Sequence, residues 1–430
     1  MSYLDIDSKY IWHPFTHQKH ADENIFIDKA AGAWLYNDKG DKYLDAISSW
    51  WVNIHGHAHP KIAEAIAQQA STLEHIIFAG FTHKPAIELA ENLIPLLPGE
   101  FEKIFYSDNG STSTEVALKM SVQYWWNLSN KKSALARRKI LAFRNSYHGD
   151  TFGAMSVSDR GVFTLAFHDL LFEVIYMDTP SEENIEQTLA TIEEHGEQVA
   201  CFIYEPLVQG AGGMKMYPSI LLNQILEKAK QFDIICIADE VMTGFGRTGK
   251  IFASEYMEQK PDIICLSKGL TGGALPLGVT ACVRKIHDAF VQDDRMMTFF
   301  HGHSFTANPI SCAAAAASLK LLKNEQCLAS INRIAAANRN YALELEDQQL
   351  PLVNIRYTGT ILAFEVDEAH HEYLNVTGHV IGRSAMEKGL YIRPLGNTVY
   401  LMPPYCITEE ESAFMFSTLT DTLYRSIGNW

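Results

Sequence analysis

The chain has 430 residues, 47% hydrophobic and 20% charged, with a net charge of −16. That composition suits a globular protein with one large domain and a second, smaller one. No Lys/Arg-rich run is long, and Lys131-Lys132 with Arg137-Arg138 make only a local basic patch, so the charge points away from nucleic acid and from an anionic membrane surface.

Seven cysteines are scattered: Cys201, Cys236, Cys265, Cys282, Cys312, Cys327 and Cys406. The odd count, with no C-x-x-C, reads as free thiols in a reducing compartment. The first ten residues lack a signal peptide's basic and apolar regions, and no apolar stretch is long enough to span a membrane. A cytoplasmic location follows as the expectation.

From the N-terminus, Tyr10-Ile11-Trp12-His13-Pro14-Phe15 carries rings that need burial or a ligand. Residues 33–45 read as a hairpin closed by the polar turn Asp38-Lys39-Gly40-Asp41. Ser48-Ser49-Trp50-Trp51 follows, and then His55, His57 and His59. Those histidines have alternate spacing, but Gly56 and Pro60 argue for a loop, and no acidic or cysteine partner at zinc-like spacing is near. No metal is expected.

Residues 61–97 show helical periodicity in two apolar stretches. Residues 103–106 form a short strand that runs into Ser107-Asp108-Asn109-Gly110-Ser111-Thr112, ahead of a helix over 116–126. A strand, a small-residue turn and a helix start can cradle an anion, although the same residues also serve as an ordinary cap. The strand 139–143 leads to Tyr147, whose ring can stack on a planar ligand or simply pack. The strand 199–204 ends at Glu205-Pro206, and a helix over 221–232 follows.

The apolar runs 234–238 and 263–266 have the length of buried parallel strands, and each stops in charge. The first delivers Asp239 and Glu240, the second Lys268. The carboxyl ends of strands in an open α/β sheet are where ligands bind. An amine there can form a Schiff base with an aldehyde, and a carboxylate can pair with a protonated pyridine nitrogen. The competing reading is a structural Lys–Asp ion pair.

A strand over 277–284, the polar loop 301–309 and an Ala-rich helix 310–322 come next. Beyond about residue 330 a long helix (328–347), short strands near 355–357, 362–365, 391–393 and 399–401, and helices 378–388 and 408–426 read as an α+β unit.

Taken together, these segments resemble the class III (ω-) aminotransferases, a group of fold-type I pyridoxal-phosphate enzymes. The resemblance runs over nearly the whole chain. It is carried by IWHPFT (11–16), SSWWVNIHGHAHP (48–60), RNSYHGDTFGAMSV (144–157), EPLVQGAGGM (205–214), ADEVMTGFGRTGK (238–250), CLSKGLTGG (265–273) and YIRPLGNTVYLMPPY (391–405). The WHP, SSWW and LMPPY segments are most similar to the members that act in biotin synthesis.

The resemblance implies an α/β fold with a mostly parallel sheet flanked by helices, plus a smaller α+β domain built from both ends of the chain. Its divisions would be an N-terminal segment 1–60, a cofactor-binding domain 61–312 and a C-terminal domain 313–430. It implies pyridoxal 5'-phosphate as cofactor, held covalently by Lys268, which also moves the proton. Asp239 would pair with the ring nitrogen and Tyr147 stack on the ring. Gly110 and Ser111 would take the phosphate, joined by His303 and Ser304 from a partner subunit in a homodimer. Trp50, Phe15, Gly302, Arg393 and Arg247 join Tyr147 and Lys268 at the substrate, with Arg393 as the carboxylate clamp. The implied reaction takes an amino group from S-adenosyl-L-methionine to 8-amino-7-oxononanoate, giving 7,8-diaminononanoate.

Two departures bear on this. Phe15 stands where the family often has tyrosine, which opens lysine as an alternative donor; another ω-amine is a further alternative. The loop His301-Gly302-His303-Ser304-Phe305 carries His303 where relatives often have proline. A catalytically inactive cofactor-binding scaffold is the non-enzymatic alternative, and the retained Lys268 and Asp239 count against it.

Overall fold

The computed structural model describes residues 2–129, 137–366 and 376–427; Lys131 and Lys132 lie outside them. Its centre is a seven-stranded sheet. In spatial order the strands are Phe101–Ser107, Gly278–Val283, Ile263–Leu266, Ile235–Asp239, Val199–Tyr204, Lys139–Phe143 and Ile175–Met177. Six run parallel, and Gly278–Val283 runs antiparallel to both its neighbours.

The inner strands Ile263–Leu266 and Val199–Tyr204 are apolar at every position because both faces are covered. Successive side chains point to opposite faces of a strand. Ile235 and Ile237 therefore pack with Val116, Ala117 and Met120 of the helix Gly110–Leu128. Cys236 and Ala238 point the other way, into the core shared with Leu222, Ile225 and Ala229 of the helix Ser219–Gln231.

The ends of the chain meet in a second, four-stranded sheet. The hairpin Trp34–Asn37 and Lys42–Asp45 turns through residues 38–41 as expected, and Leu390–Tyr391 adds to it in parallel with Lys42–Asp45. A three-stranded sheet of Leu352–Thr358, Ile361–Val366 and Thr398–Leu401 completes the smaller part, with the helices Glu325–Glu346, Val376–Glu387 and Glu409–Ile427. The seven cysteines are free thiols. No helix among the described residues is long and apolar enough to cross a membrane.

One expectation holds and two change. The two helical stretches read over 61–97 form two helices, Pro60–Ala70 and Lys84–Leu93. His83 caps the second one, Nδ1 accepting from the Ala86 N–H while Nε2 donates to the Ala307 carbonyl. The division placed at 312/313 falls inside the continuous helix Pro309–Leu322, which packs on those two helices. Finally, Tyr10 and Trp12 are not buried but 71% and 82% exposed in the single chain.

Phe202 lies at the centre of the larger core, 5.1 Å from the Phe143 ring and 5.0 Å from Tyr204. Phe202→Ala is expected to cost about 3–5 kcal/mol, read as a lower denaturant midpoint. A loss below about 1 kcal/mol would show that this core is not close-packed.

Candidate active site

Asp239 is the last residue of its strand and pairs in parallel register with Cys265 of the neighbouring one. Lys268 follows the end of that neighbour, so both side chains emerge at the same carboxyl edge. The backbone there is strained, since Lys268 has φ +46. A non-glycine residue in that region costs about 1–3 kcal/mol and persists only where its surroundings enforce it. The Ser267 hydroxyl donates to the Leu277 carbonyl at 2.7 Å, and the Leu270 N–H closes a turn back onto the Ser267 carbonyl at 3.0 Å.

The Lys268 amine lies 4.5 Å from the centre of the Trp51 ring. Burial lowers its pKa to about 8, although Asp239 and Glu205 pull it back up. Asp239 is held from two sides. His148 Nδ1 is 2.7 Å from its Oδ2, and Oδ1 accepts the Val241 N–H at 3.1 Å. A carboxylate only accepts, so the His148 proton sits on Nδ1. Glu205, at the end of the next strand, accepts the N–H groups of Tyr147 and Gly210 at 3.0 and 2.8 Å. Its burial pushes the carboxyl up to about 7.

Opposite this edge, Ser48, Ser49, Trp50 and Trp51 form a left-handed turn with φ values of +51, +53, +99 and +73. Four such residues without a glycine need outside support. The buried Asp45 supplies it. Its Oδ1 accepts the N–H groups of Ile47 and Ser49, and its Oδ2 accepts the Ser49 hydroxyl and His57 Nε2. Ser48 donates to the Met402 carbonyl at 2.8 Å, and the Trp51 indole to the Tyr400 hydroxyl at 3.0 Å. Arg247, 1% exposed, donates to the carbonyls of Pro403 and Trp51 and sits 5.1 Å from the Tyr405 ring centre. Its hydrogen bonds therefore tie the backbone that carries Trp51 to the segment of Pro403.

The third wall is the start of the helix Gly110–Leu128. Asn109 caps it, accepting the Thr112 N–H at 3.0 Å. A Cβ on Gly110 would come within 2.8 Å of Val241, so the chain passes there only as glycine. The Ser111 hydroxyl accepts the Asp150 N–H at 3.2 Å, which ties the Tyr147 loop to this helix start.

These walls enclose a cavity of about 350 Å³ lined by Trp51, Gly110, Ser111, Tyr147, Asp239 and Lys268. Phe15, Trp50 and Arg393 gather beside it: Arg393 lies 4.9 Å over the Trp50 ring, and Phe15 meets the same ring at 5.3 Å. Three expected residues stay outside. His303 pairs with Asp108 at 2.9 Å, while Gly302 and Ser304 face solvent. The histidines at 55, 57 and 59 take separate tasks. His55 bonds Ser318, with burial lowering its pKa to about 4; His57 supports Asp45; His59 precedes a helix. Among the described residues no histidine, cysteine and carboxylate group is arranged to hold a metal.

Asp45, His148 and Glu205 were not singled out from sequence as site residues. Glu205 could have been, as a charge that ends an all-apolar strand; Asp45 similarly interrupts the run Tyr43-Leu44-Asp45-Ala46-Ile47.

An amine near neutral pKa, a buried carboxylate, a glycine–serine helix start and a flat ring surround one cavity. That donor set fits a planar, phosphate-bearing aldehyde. The fold and site are those of the fold-type I enzymes that use pyridoxal 5'-phosphate. The chain belongs to the class III aminotransferases, whose family model matches residues 16–423. It is 46% identical to the adenosylmethionine-8-amino-7-oxononanoate aminotransferase of Synechococcus elongatus, covering 96% of this chain and 98% of the relative. The Staphylococcus aureus protein of the same name is 37% identical, over 94% and 93% of the two chains. The crystal structure of the Methanocaldococcus jannaschii enzyme of that name superposes with a TM-score of 0.93 at 35% identity, covering 98% of both chains. An omega transaminase from Pseudomonas jessenii, solved in complex with PMP, gives a TM-score of 0.91 at 26% identity, over 100% of this chain and 99% of that one.

The lowered amine has a pH signature. The neutral amine is the nucleophile, and it is lost as pH falls below the folded-state pKa of about 8. Capture of a small aldehyde by Lys268 in the cofactor-free chain should therefore rise with pH through a midpoint near 8, read by mass spectrometry after reduction. A midpoint near the ordinary lysine value of about 10.4 would contradict the buried setting.

Proposed function

We propose that this chain transfers the amino group of S-adenosyl-L-methionine to 8-amino-7-oxononanoate, the step of biotin synthesis that yields 7,8-diaminononanoate. The observation that carries this reading is the near full-length similarity to several relatives of that name, joined to a cavity holding Lys268, Asp239 and the Gly110–Ser111 helix start.

When bound, pyridoxal 5'-phosphate supplies an aldehyde for covalent capture of an amine and a ring that takes up the electrons released at the substrate's α-carbon. Lys268 holds that aldehyde through Nζ. As a free amine, Nζ would be a base matched to neutral pH, placed to carry a proton from the substrate's α-carbon. Asp239 keeps a proton on the ring nitrogen by its charge, and His148 holds Asp239 in place. The N–H groups of Gly110 and Ser111 and the helix dipole receive the phosphate. Tyr147, fixed by Glu205, would offer its ring to the cofactor and with Trp51 would exclude water. Arg393, braced on Trp50, receives the substrate carboxylate in a two-pronged contact. Phe15 forms an apolar side of the pocket, and Arg247 fixes Trp51.

The reaction would run in two halves: the donor takes up water, gives up its amino group and departs as the keto compound, and the acceptor's ketone then receives that amino group and loses its oxygen as water. A homodimer completes the site, with His303, Ser304 and Gly302 facing the phosphate and pocket of the other subunit. Exposed rings such as Phe300 and Phe305, 71% and 61% accessible, support a partner on that side. The protein works in the cytoplasm.

The test is a half-reaction on the cofactor-loaded protein. S-Adenosylmethionine should remove the visible absorbance and 8-amino-7-oxononanoate restore it, whereas Lys268→Ala should turn over neither. Conversion by lysine alone would overturn the donor while keeping the step. Conversion by neither would overturn the proposal.

A further inference from the structure

A second cavity, about 510 Å³, adjoins the cofactor cavity, and Tyr147 lines both. It lies between the loop 145–164 and the smaller part of the chain, where Glu365, Leu395 and Thr398 close it. A run of edge-on rings leads to this space, and its members Phe163 and Tyr147 line it. Trp50 meets Phe15 at 5.3 Å, Phe15 meets Phe163 at 5.8 Å, and Phe163 meets Tyr147 at 6.1 Å. Phe163 is the link that makes the run continuous.

The carboxylates facing this cavity are engaged. Asp159 accepts the N–H groups of Asn145 and Arg160, both at 2.8 Å. Glu365 is paired with Arg356 at 3.0 Å. Asp150 faces the Tyr147 hydroxyl and helps raise its pKa, after burial. At the far end of the run, Arg393 already lies over Trp50. A cation entering here meets aromatic rings in preference to an uncommitted acid.

We infer that Phe163 is a specificity-determining residue that recognises the donor's cationic sulfonium through its ring. This rests on the proposed reading of the donor and extends it. The sulfonium is separated from the donor's α-carbon by a short methylene spacer, so a donor held at Lys268 carries its charge toward the wall beside Tyr147. A ring face attracts such a cation through its quadrupole, and more strongly when water is excluded. The acceptor has no sulfonium, and its own ammonium sits on the carbon next to the reacting ketone, close to Lys268, so it uses the same pocket without this contact. One site can thus take two unlike substrates in turn.

The experiment uses the holoenzyme loaded with pyridoxamine phosphate, where no aldehyde is present and the donor binds without reacting. Calorimetry compares S-adenosylmethionine with S-adenosylhomocysteine, its neutral thioether counterpart. The wild type should prefer the sulfonium by about fivefold or more. Phe163→Leu should bring the ratio close to one, and Phe163→Tyr should preserve it. An unchanged ratio in Phe163→Leu, or no preference in the wild type, overturns the inference. A ratio that collapses in Asp150→Asn but not in Phe163→Leu overturns it in favour of the carboxylate. If instead the wild type fails the donor half-reaction described above, it is the proposed function that has failed.

Discussion

The structure depends on burying one amine at the carboxyl edge of a parallel sheet. Lys268 has left water for a position over the Trp51 ring, with Asp239 on the adjacent strand. Desolvation disfavours its charged form, and the carboxylates restore part of the loss. The balance sets the amine near 8, where it can be a nucleophile or carry a proton at ordinary pH. A fully paired lysine would stay charged and inert.

Keeping that balance requires the surroundings to stay fixed, and much of the nearby backbone serves this end. The φ of Lys268 and the left-handed turn Ser48–Trp51 are both strained. The opposing support is distributed over Asp45, Arg247, Tyr400 and the carbonyls of Met402 and Pro403. Some of these groups come from near the C-terminus, so the site is assembled only when both ends of the chain have joined their shared sheet. Glu205 acts in the same way on the other wall, fixing Tyr147 through a backbone N–H.

The central sheet was legible in the sequence because a strand covered on both faces must be apolar throughout, and the charges that ended Ile235–Asp239 and Ile263–Leu266 marked the site's edge. The antiparallel course of Gly278–Val283 was not legible, since direction is set by the connecting chain and leaves no mark in an apolar run. The turn at Ser48–Trp51 was hidden for another reason. Positive φ is read from glycine or asparagine, and here it is imposed by Asp45 through hydrogen bonds to residues two and four positions on. The rings of Tyr10 and Trp12 were expected to be buried, but sequence does not say whether a covering surface lies in the same chain. The proximity of Phe163 to Phe15 likewise arises from tertiary packing across 148 positions (163 − 15).

The central claim is that Lys268, alone among the lysines of the described residues, lines the cofactor cavity and is neutral enough to capture the cofactor. Borohydride reduction of the loaded protein, followed by peptide mapping, tests it directly. The account predicts one phosphopyridoxyl group per chain, on the peptide that contains Lys268, and no such label in Lys268→Ala. A label on another lysine, or undiminished labelling of that variant, would contradict it.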